Sequence, residues 1–233
     1  MKYKEFNLHK GMRTRYNLIM LMLIISTTIT AQQLYLETGK TVSSFDYKNS
    51  QGNKLNNLQA TTHNFMALGY RKQILTKNLF VSLGASYADY GAIGSDDSVG
   101  NFMEWNLTYL EFNLGLDYEL FTLNKIKFYT KGTAALGLLL RGTQTLNNRV
   151  INLKNNDEFD KTLINLKVGA GLSRPISDKL SVYVQYMYGK SLAQKNDTEQ
   201  SIGEETLKIE SHNISFGLLI NLFIPKTSHS ISQ

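Results

Sequence analysis

The sequence predicts an all-β protein: an eight-stranded antiparallel transmembrane β-barrel that follows a cleaved N-terminal signal peptide. Three observations support this prediction. After residue 31, eight segments alternate between apolar and polar residues with a period of two, the repeat of a strand with two different faces. The connections between these segments alternate between short and long. Aromatic residues recur near the segment ends, as they do at the two interfaces of a membrane.

Residues 1–31 have the order of an export signal. A basic leader is followed by an apolar run over 18–25 and then by small and polar residues that end at Ala31. The run is much shorter than the roughly 20 apolar residues that a membrane-spanning helix needs. We therefore expect cleavage after Ala31 and a mature chain that begins at Gln32, with an uncleaved anchor as the alternative. Translation begins at either Met1 or Met12.

Charge and cysteine content exclude several classes of protein. The net charge of +6 falls mostly in the leader, and the chain after residue 31 carries only +2. This small excess gives no support for nucleic-acid binding. The sequence has no cysteine, which excludes disulfides, thiolate metal sites and a lipid-modified N-terminal cysteine.

The eight segments are long enough to cross a bilayer as tilted strands. They cover 33–44, 62–73, 79–90, 105–120, 126–141, 162–174, 179–190 and 207–224. The fourth segment has the clearest pattern. One of its faces is apolar from Leu110 to Leu120, and the other is polar or small from Glu111 to Glu119.

The composition of the polar face favours a membrane barrel over a soluble one. This face is rich in small residues: Gly69, Ser82, Gly84, Ser86, Gly115, Gly169, Gly171 and Gly217. Small residues suit the narrow lumen of an eight-stranded barrel. We therefore expect the apolar face to lie outside, against lipid.

The connections have the lengths that a membrane barrel uses. Residues 74–78, 121–125 and 175–178 form short turns, whereas 45–61, 91–104, 142–161 and 191–206 form long polar loops. Such barrels have short periplasmic turns and long external loops. The even strand number then places both mature termini on the periplasmic side.

The aromatic residues predicted to form the two interfacial girdles are Tyr35, Tyr70, Tyr87, Tyr90, Trp105, Tyr118, Phe121, Phe128, Tyr188 and Phe223. One residue conflicts with the lipid-facing pattern, because alternation in the first strand turns Lys40 outward with Leu34 and Leu36. A charged side chain at mid-depth costs about 2–4 kcal/mol. Either a β-bulge or a membrane boundary just below Lys40 resolves the conflict.

The last strand carries a further signal. Ser215, Gly217, Ile220 and Leu222 resemble the sorting signal on the closing strand of Gram-negative outer-membrane barrels. Over residues 33–224 the chain resembles the OmpA transmembrane domain, OmpX and the β-barrel domain proteins of Bacteroidota, PorT-like proteins included. The resemblance implies residence in the cell outer membrane, a barrel over 32–225 and a short tail over 226–233. It also implies contact with outer-membrane lipids and lipopolysaccharide, and recognition by the barrel assembly machinery.

Charged residues are predicted to fill the lumen. The acidic set is Glu37, Glu111, Asp117 and Glu119, and the basic set is Arg71, Lys127, Lys131, Arg141 and Lys167. With the turn at 121–125, Glu119 is expected near Lys127, and Asp117 diagonally from Lys131. Paired charges of this kind plug a small barrel, since an unpaired buried charge costs several kcal/mol. A narrow ion or proton path is the alternative.

The sequence gives little support for catalysis or for a metal site. Rim candidates for a nucleophile and its base are His63, His212, Ser211, Ser215, Glu210 and Asp89. The loop acids are Asp96, Asp97, Asp157, Glu158 and Asp160, which lack calcium-site spacing. Phosphate-binding and zinc motifs are absent from the sequence. We therefore expect no catalytic, cofactor or metal site.

The function expected from the sequence is a structural role, or recognition through the external loops, without catalysis. Two alternatives remain open at this point. One is a lipid-modifying outer-membrane enzyme of the lipid A hydrolase or acyltransferase type. The other is a soluble periplasmic barrel that binds an apolar ligand.

Overall fold

The structure, a computed structural model, describes residues 32–48, 52–55, 57–96, 101–155, 159–196 and 205–222. The predicted signal peptide (1–31), the predicted tail (226–233) and Phe223 lie outside these ranges. The strands are β1 (Gln32–Lys48), β2 (Gln59–Gln73), β3 (Leu79–Asp96), β4 (Asn101–Leu123), β5 (Ile126–Leu146), β6 (Arg149–Asn152), β7 (Thr162–Pro175), β8 (Leu180–Ser191), β9 (Gln194–Asn196) and β10 (Glu205–Asn221). Within the described ranges, no helix is long and apolar enough to cross a bilayer.

Eight strands form a closed antiparallel ring. Their order is β1, β2, β3, β4, β5, β7, β8 and β10, and β10 pairs with β1 to close the barrel. The short strands β6 and β9 pair with β5 and β10 as hairpin extensions. The closing ladder runs in one unbroken register from Gln33–Asn221 to Lys48–Thr206. Closure satisfies backbone groups that an open edge would expose to lipid.

The turn between β4 and β5 contains only two residues. Asn124 and Lys125 both have positive φ angles, 48° and 69°, as a type I′ hairpin requires. The turn is therefore shorter than the predicted 121–125, and it sets Asp117 directly opposite Lys131 instead of diagonally.

The lower part of the barrel is apolar outside and polar inside. Leucines at alternate positions of β4, such as Leu114 and Leu116, are exposed, whereas Glu111 and Asp117 between them are buried. The same pattern recurs around the ring, with Leu36, Leu68, Leu138 and Phe216 outside. An apolar exterior around a polar lumen is the arrangement of a transmembrane barrel. The protein is therefore an integral outer-membrane protein, and the soluble alternative is wrong.

Tyrosine side chains from the inner face fill the lumen at glycine positions. The Tyr35 ring lies against Gly84 of β3, and the Tyr183 ring lies against Gly217 of the closing strand. A Cβ atom at either glycine would collide with the tyrosine. The small residues on the inner face thus provide space for aromatic rings that cross the lumen.

The upper part of the barrel has the opposite polarity. In β4, the inward positions Trp105, Leu107 and Tyr109 are buried and apolar, whereas the outward Asn106 is exposed. These rings pack in a core whose buried members are Phe45, Ala88, Tyr90, Ala92, Trp105, Leu107, Tyr109, Leu139, Leu153, Phe159, Leu163, Leu207 and Ile209. Most outward residues at this height are polar, with Ile93, Phe102 and Val150 among the apolar exceptions. The strands thus continue above the membrane as a β-structure with its own core, the extension.

This extension corrects the predicted loops. The ranges 45–61, 91–104, 142–161 and 191–206 contain the upper ends of β1, β3, β4 and β5, together with β6 and β9. Lys40 faces outward as predicted, and β1 has no register shift at this residue. Its Nζ donates to Asn64 Oδ1 at 2.6 Å. The inversion of polarity lies just above Lys40, so the membrane boundary, and not a bulge, accounts for its outward position.

The aromatic prediction was correct only in part. Tyr118 and Phe121 are exposed at the lower boundary, where the Phe121 ring stacks on Phe128 with centroids 4.4 Å apart. Tyr35, Tyr90 and Trp105 are buried inside the barrel and belong to no girdle, so their assignment was wrong. They occupy inward positions of their strands. A position near a strand end does not determine whether the side chain points into the lumen or outward.

Candidate functional site

A charge cluster occupies the lower lumen. Arg71 Nε lies 3.3 Å from Asp117 Oδ2, and Arg71 Nη2 lies 3.5 Å from Glu119 Oε1. Lys127 Nζ is 2.9 Å from Glu119 Oε2, as predicted, and Lys131 Nζ is 3.6 Å from Asp117 Oδ1. The Arg71 guanidinium also lies over the Phe80 ring, 3.9 Å from its centroid. The cluster therefore links β2, β4 and β5 across the lumen.

A second cluster is centred on Glu111, whose side chain is fully buried. Its carboxylate accepts hydrogen bonds from Lys167 Nζ at 2.7 Å, Tyr90 Oη at 2.6 Å and Ser86 Oγ at 2.9 Å. Asn165 Nδ2 donates in turn to Tyr90 Oη at 3.3 Å. Glu111 thus joins β3, β4 and β7 immediately below the apolar core of the extension.

Glu37 is the acidic centre of a third cluster. It accepts hydrogen bonds from Tyr183 Oη at 3.0 Å and from Gln185 Nε2 at 2.7 Å. Gln185 Oε1 accepts in turn from Tyr129 Oη at 3.0 Å. Neutral donors therefore satisfy this buried carboxylate, which lowers the penalty for removing it from water.

The spaces between these clusters are small. One cavity of about 50 Å³ is lined by Glu37, Lys131 and Lys167 among others, and a neighbouring one of about 20 Å³ by Arg71 and Asp117 among others. A single water needs roughly 10–15 Å³ when volume is measured in this way. These cavities therefore have room for only a few waters.

Arg141 was predicted to face the lumen, and this prediction is wrong. In the β4–β5 ladder, Tyr109 pairs with Leu139 but Thr108 pairs with Arg141, so Leu140 is an extra residue. This β-bulge shifts the alternation by one and turns Arg141 outward. Its Nη2 donates to Tyr87 Oη at 2.7 Å on the outer wall. The four remaining lumenal cations therefore match four lumenal acids.

The rim candidates for a nucleophile and its base do not form one site. Ser211 and Ser215 are buried on the inner face of β10, whereas His212 lies on the outer face. His212 Nδ1 is 2.6 Å from Tyr186 Oη, and Glu210 pairs with Lys190 at 2.5 Å. His63 lies elsewhere, on β2, with Nε2 2.7 Å from Thr61 Oγ1, and it lines an outer-wall pocket with Asp89.

The loop acids give no metal site among the residues that can be assessed. Asp97, Asp157 and Glu158 lie outside the described ranges, as does the side chain of Asp96. The Asp160 carboxylate accepts a hydrogen bond from the backbone N–H of Thr162 at 2.9 Å. Within the described part of the chain, no three histidine or acidic side chains are grouped as metal ligands.

No protein-family model matches the chain, and no curated protein does. The assignment to the Bacteroidota barrel family, or to PorT-like proteins within it, therefore stays a prediction.

Several solved structures share the architecture. Neisserial surface protein A is 13% identical, with 81% of this chain and 96% of that one covered at a TM-score of 0.46. OprG from Pseudomonas aeruginosa is 14% identical, with 82% and 97% covered at 0.46. Ail, the attachment invasion locus protein of Yersinia pestis, is 13% identical, with 82% and 100% covered at 0.39. At such low identities and TM-scores, these similarities give no information about function.

Proposed function

We propose that the protein is a non-conducting outer-membrane barrel whose extracellular extension serves in recognition, without catalysis. The observation that carries this proposal is the inversion of polarity above Lys40. A barrel that only anchored loops could end at the membrane surface. Here β4 has 23 residues and β5 has 21, whereas a strand needs about 9–11 residues to cross. The additional length builds a packed structure outside the membrane.

The lumen supports the non-conducting part of the proposal. Its charges are paired across strands or, at Glu37, satisfied by neutral donors, and its cavities have room for only a few waters. Above them, the apolar core fills the interior of the extension with side chains such as Trp105 and Leu107. An ion crossing this mainly apolar core would lose most of its hydration with few polar groups to replace it.

We expect the purified barrel to show no stepwise conductance in planar lipid bilayers. The measurement is single-channel recording in concentrated potassium chloride, with a 16-stranded porin as the positive control. Steady ion steps from the barrel in its native fold would contradict a sealed lumen, and the ion path considered for the lumenal charges would then be preferred.

Recognition by the extension is tested with a photo-crosslinking amino acid. The crosslinking residue first replaces Glu104, whose side chain faces outward in the extension. On intact cells, it should then form adducts with protein or glycan partners. Placed instead of Leu114, it should form adducts with lipid. Lipid adducts at both positions would show that the extension lies in the membrane and would contradict the proposal.

A further inference from the structure

The outer wall carries an open pocket of about 380 Å³ at the upper edge of the apolar exterior. Its floor is a row of three outward residues on adjacent strands, Asp89, Thr108 and Arg141, which are paired in register. The row above contains Asn106 and Thr143. His63 and Tyr87 complete the polar lining.

Two separate irregularities of the barrel direct side chains towards this pocket. The bulge at Leu140 turns Arg141 outward from β5. On the other side, the β2–β3 pairing is interrupted between Ala60 and Phe65. There, His63 covers the outer face of Gly91, where a Cβ atom would lie 2.6 Å from His63 Nε2. Bulges commonly re-aim side chains at binding and active sites.

Where β3 is not paired with β2, it is held by β1. Ser43 Oγ accepts a hydrogen bond from the Gly91 N–H and donates one to the Gly91 carbonyl, both at 2.8 Å. Four polar side chains of the pocket are also fixed in pairs. Arg141 Nη2 donates to Tyr87 Oη at 2.7 Å, and Thr108 Oγ1 donates to Asp89 Oδ1 at 2.7 Å. The pocket is therefore ordered before a ligand arrives, which lowers the entropic penalty of binding.

The lining mixes donors and acceptors with little net charge. It offers a guanidinium, a carboxylate, an amide, an imidazole and two threonine hydroxyls. A ligand that satisfies such a set must itself carry donors and acceptors close together, as the neighbouring hydroxyls of a sugar do. A bare phosphate would be attracted by Arg141 but repelled by Asp89, which lies in the same row.

The surface below the pocket is apolar and continuous with it. Leu110 and Leu138 pair in the next row down, and Phe112 and Leu136 pair in the row below that. These residues belong to the lipid-facing exterior, and Phe112, Leu136 and Leu138 are exposed. A ligand with a sugar head group and acyl tails would match both surfaces at once.

We propose that this pocket binds the sugar head group of a glycolipid in the outer leaflet, with its acyl chains along β4 and β5. This site lies on the outer wall where the extension meets the lipid-facing exterior. It would take a lipid from the membrane, whereas the recognition proposed for the extension concerns partners outside the membrane.

The test is a calorimetric titration of the refolded mature barrel in zwitterionic detergent with purified lipopolysaccharide. Arg141→Ala and Asp89→Asn should each weaken binding about tenfold, because each removes a charge-assisted hydrogen bond to the ligand. The matched control is Lys190→Ala, which removes an exposed cation from another part of the wall, where it pairs with Glu210. Equal weakening by Lys190→Ala would overturn the proposal, because general attraction to a cationic surface would then explain binding.

Further titrations distinguish recognition of the sugar from recognition of the phosphate or of the acyl chains. The deacylated saccharide should bind more weakly than the whole glycolipid but should remain sensitive to Arg141→Ala. Phosphatidylglycerol should bind without such sensitivity, and equal sensitivity would overturn the proposal in favour of a phosphate site. Arg141→Lys keeps the charge without the guanidinium fork and should also lose affinity. Wild-type affinity in that variant, with native migration on unheated gels, would likewise refute sugar recognition.

Discussion

Ending the chain after Asn213 is expected to abolish the folded barrel in the outer membrane. The truncation removes the lower half of β10, which pairs with β1 from Gln33 to Lys40 and with β8 from Leu180 to Tyr186. Two strand edges would then face lipid, where each unsatisfied backbone group costs several kcal/mol. The truncation also removes Gly217, Ile220 and Leu222 of the predicted sorting signal. Heat-modifiable gel migration and surface protease accessibility measure the outcome.

The control is a second truncation that removes only Lys226–Gln233. The closing ladder ends before this segment, because Asn221 is the last residue paired with β1. This variant should therefore fold and reach the surface. If the Asn213 truncation also gave a folded, surface-exposed barrel, both the eight-stranded closure and the sorting signal would be wrong.

Replacing Glu111 with alanine is expected to destabilise the barrel by about 3–5 kcal/mol, because it leaves a buried cation without its partner. Glu111 is fully buried, and the Lys167 side chain beside it is 13% exposed. The same change also leaves the hydroxyls of Tyr90 and Ser86 without their acceptor. Urea unfolding in lipid vesicles, followed by the fluorescence of Trp105, the single tryptophan, gives the free energy.

Glu210→Ala provides the matched control, because its pair with Lys190 is exposed on the outside of the barrel. Solvent screens an exposed pair, so little change is expected. The double variant Glu111→Ala, Lys167→Met should recover much of the lost stability, since it removes the unpaired cation. Equal losses at Glu111 and Glu210 would show that burial does not set the strength of these pairs.

Alternation predicted the strands and their two faces, and the small residues of the polar face together with the connection lengths predicted a membrane barrel. The lipid-facing set was predicted correctly, because a period of two allows each residue only two faces. Leu114 and Leu138 fall on the face that carries most of the apolar residues, and both are exposed. The pairing of Glu119 with Lys127 followed from a short turn. Nothing in the pattern gave the height of the membrane boundary, so Lys40 remained ambiguous until the inversion of polarity above it was visible.

The extension had a signal in the sequence that the loop prediction passed over. In β4, the apolar residues occupy odd positions from Trp105 to Tyr109 and even positions from Leu110 onward, without any change of the inward face. This change from odd to even positions within one uninterrupted strand marks the point where the surroundings of the outer face change from water to lipid. The polar stretches between the predicted strands were instead interpreted as loops, since outward polar residues such as Glu104 and Thr145 are frequent there.

The position of Arg141 could not be obtained from alternation. The run Leu138–Leu139–Leu140 is apolar throughout, so it hides the residue at which the bulge shifts the register. The pocket was missed for the same reason, because its side chains come from four strands and two irregularities. Ser211 and His212 illustrate the opposite error, because they were considered together as candidates. Residues adjacent in a strand point to opposite sides of the wall, so these two cannot share a site.

Because polarity inverts above Lys40, the membrane part and the upper part of each strand can change in length independently over evolution. The membrane part has a length set by the bilayer, whereas the part above Lys40 has no such limit. Because faces repeat every two residues, adding or deleting a pair of residues on each of two hydrogen-bonded strands preserves which side chains face inward. The extension can therefore grow or shorten in such steps over evolution, while the lipid-facing surface and the lumenal charges remain unchanged.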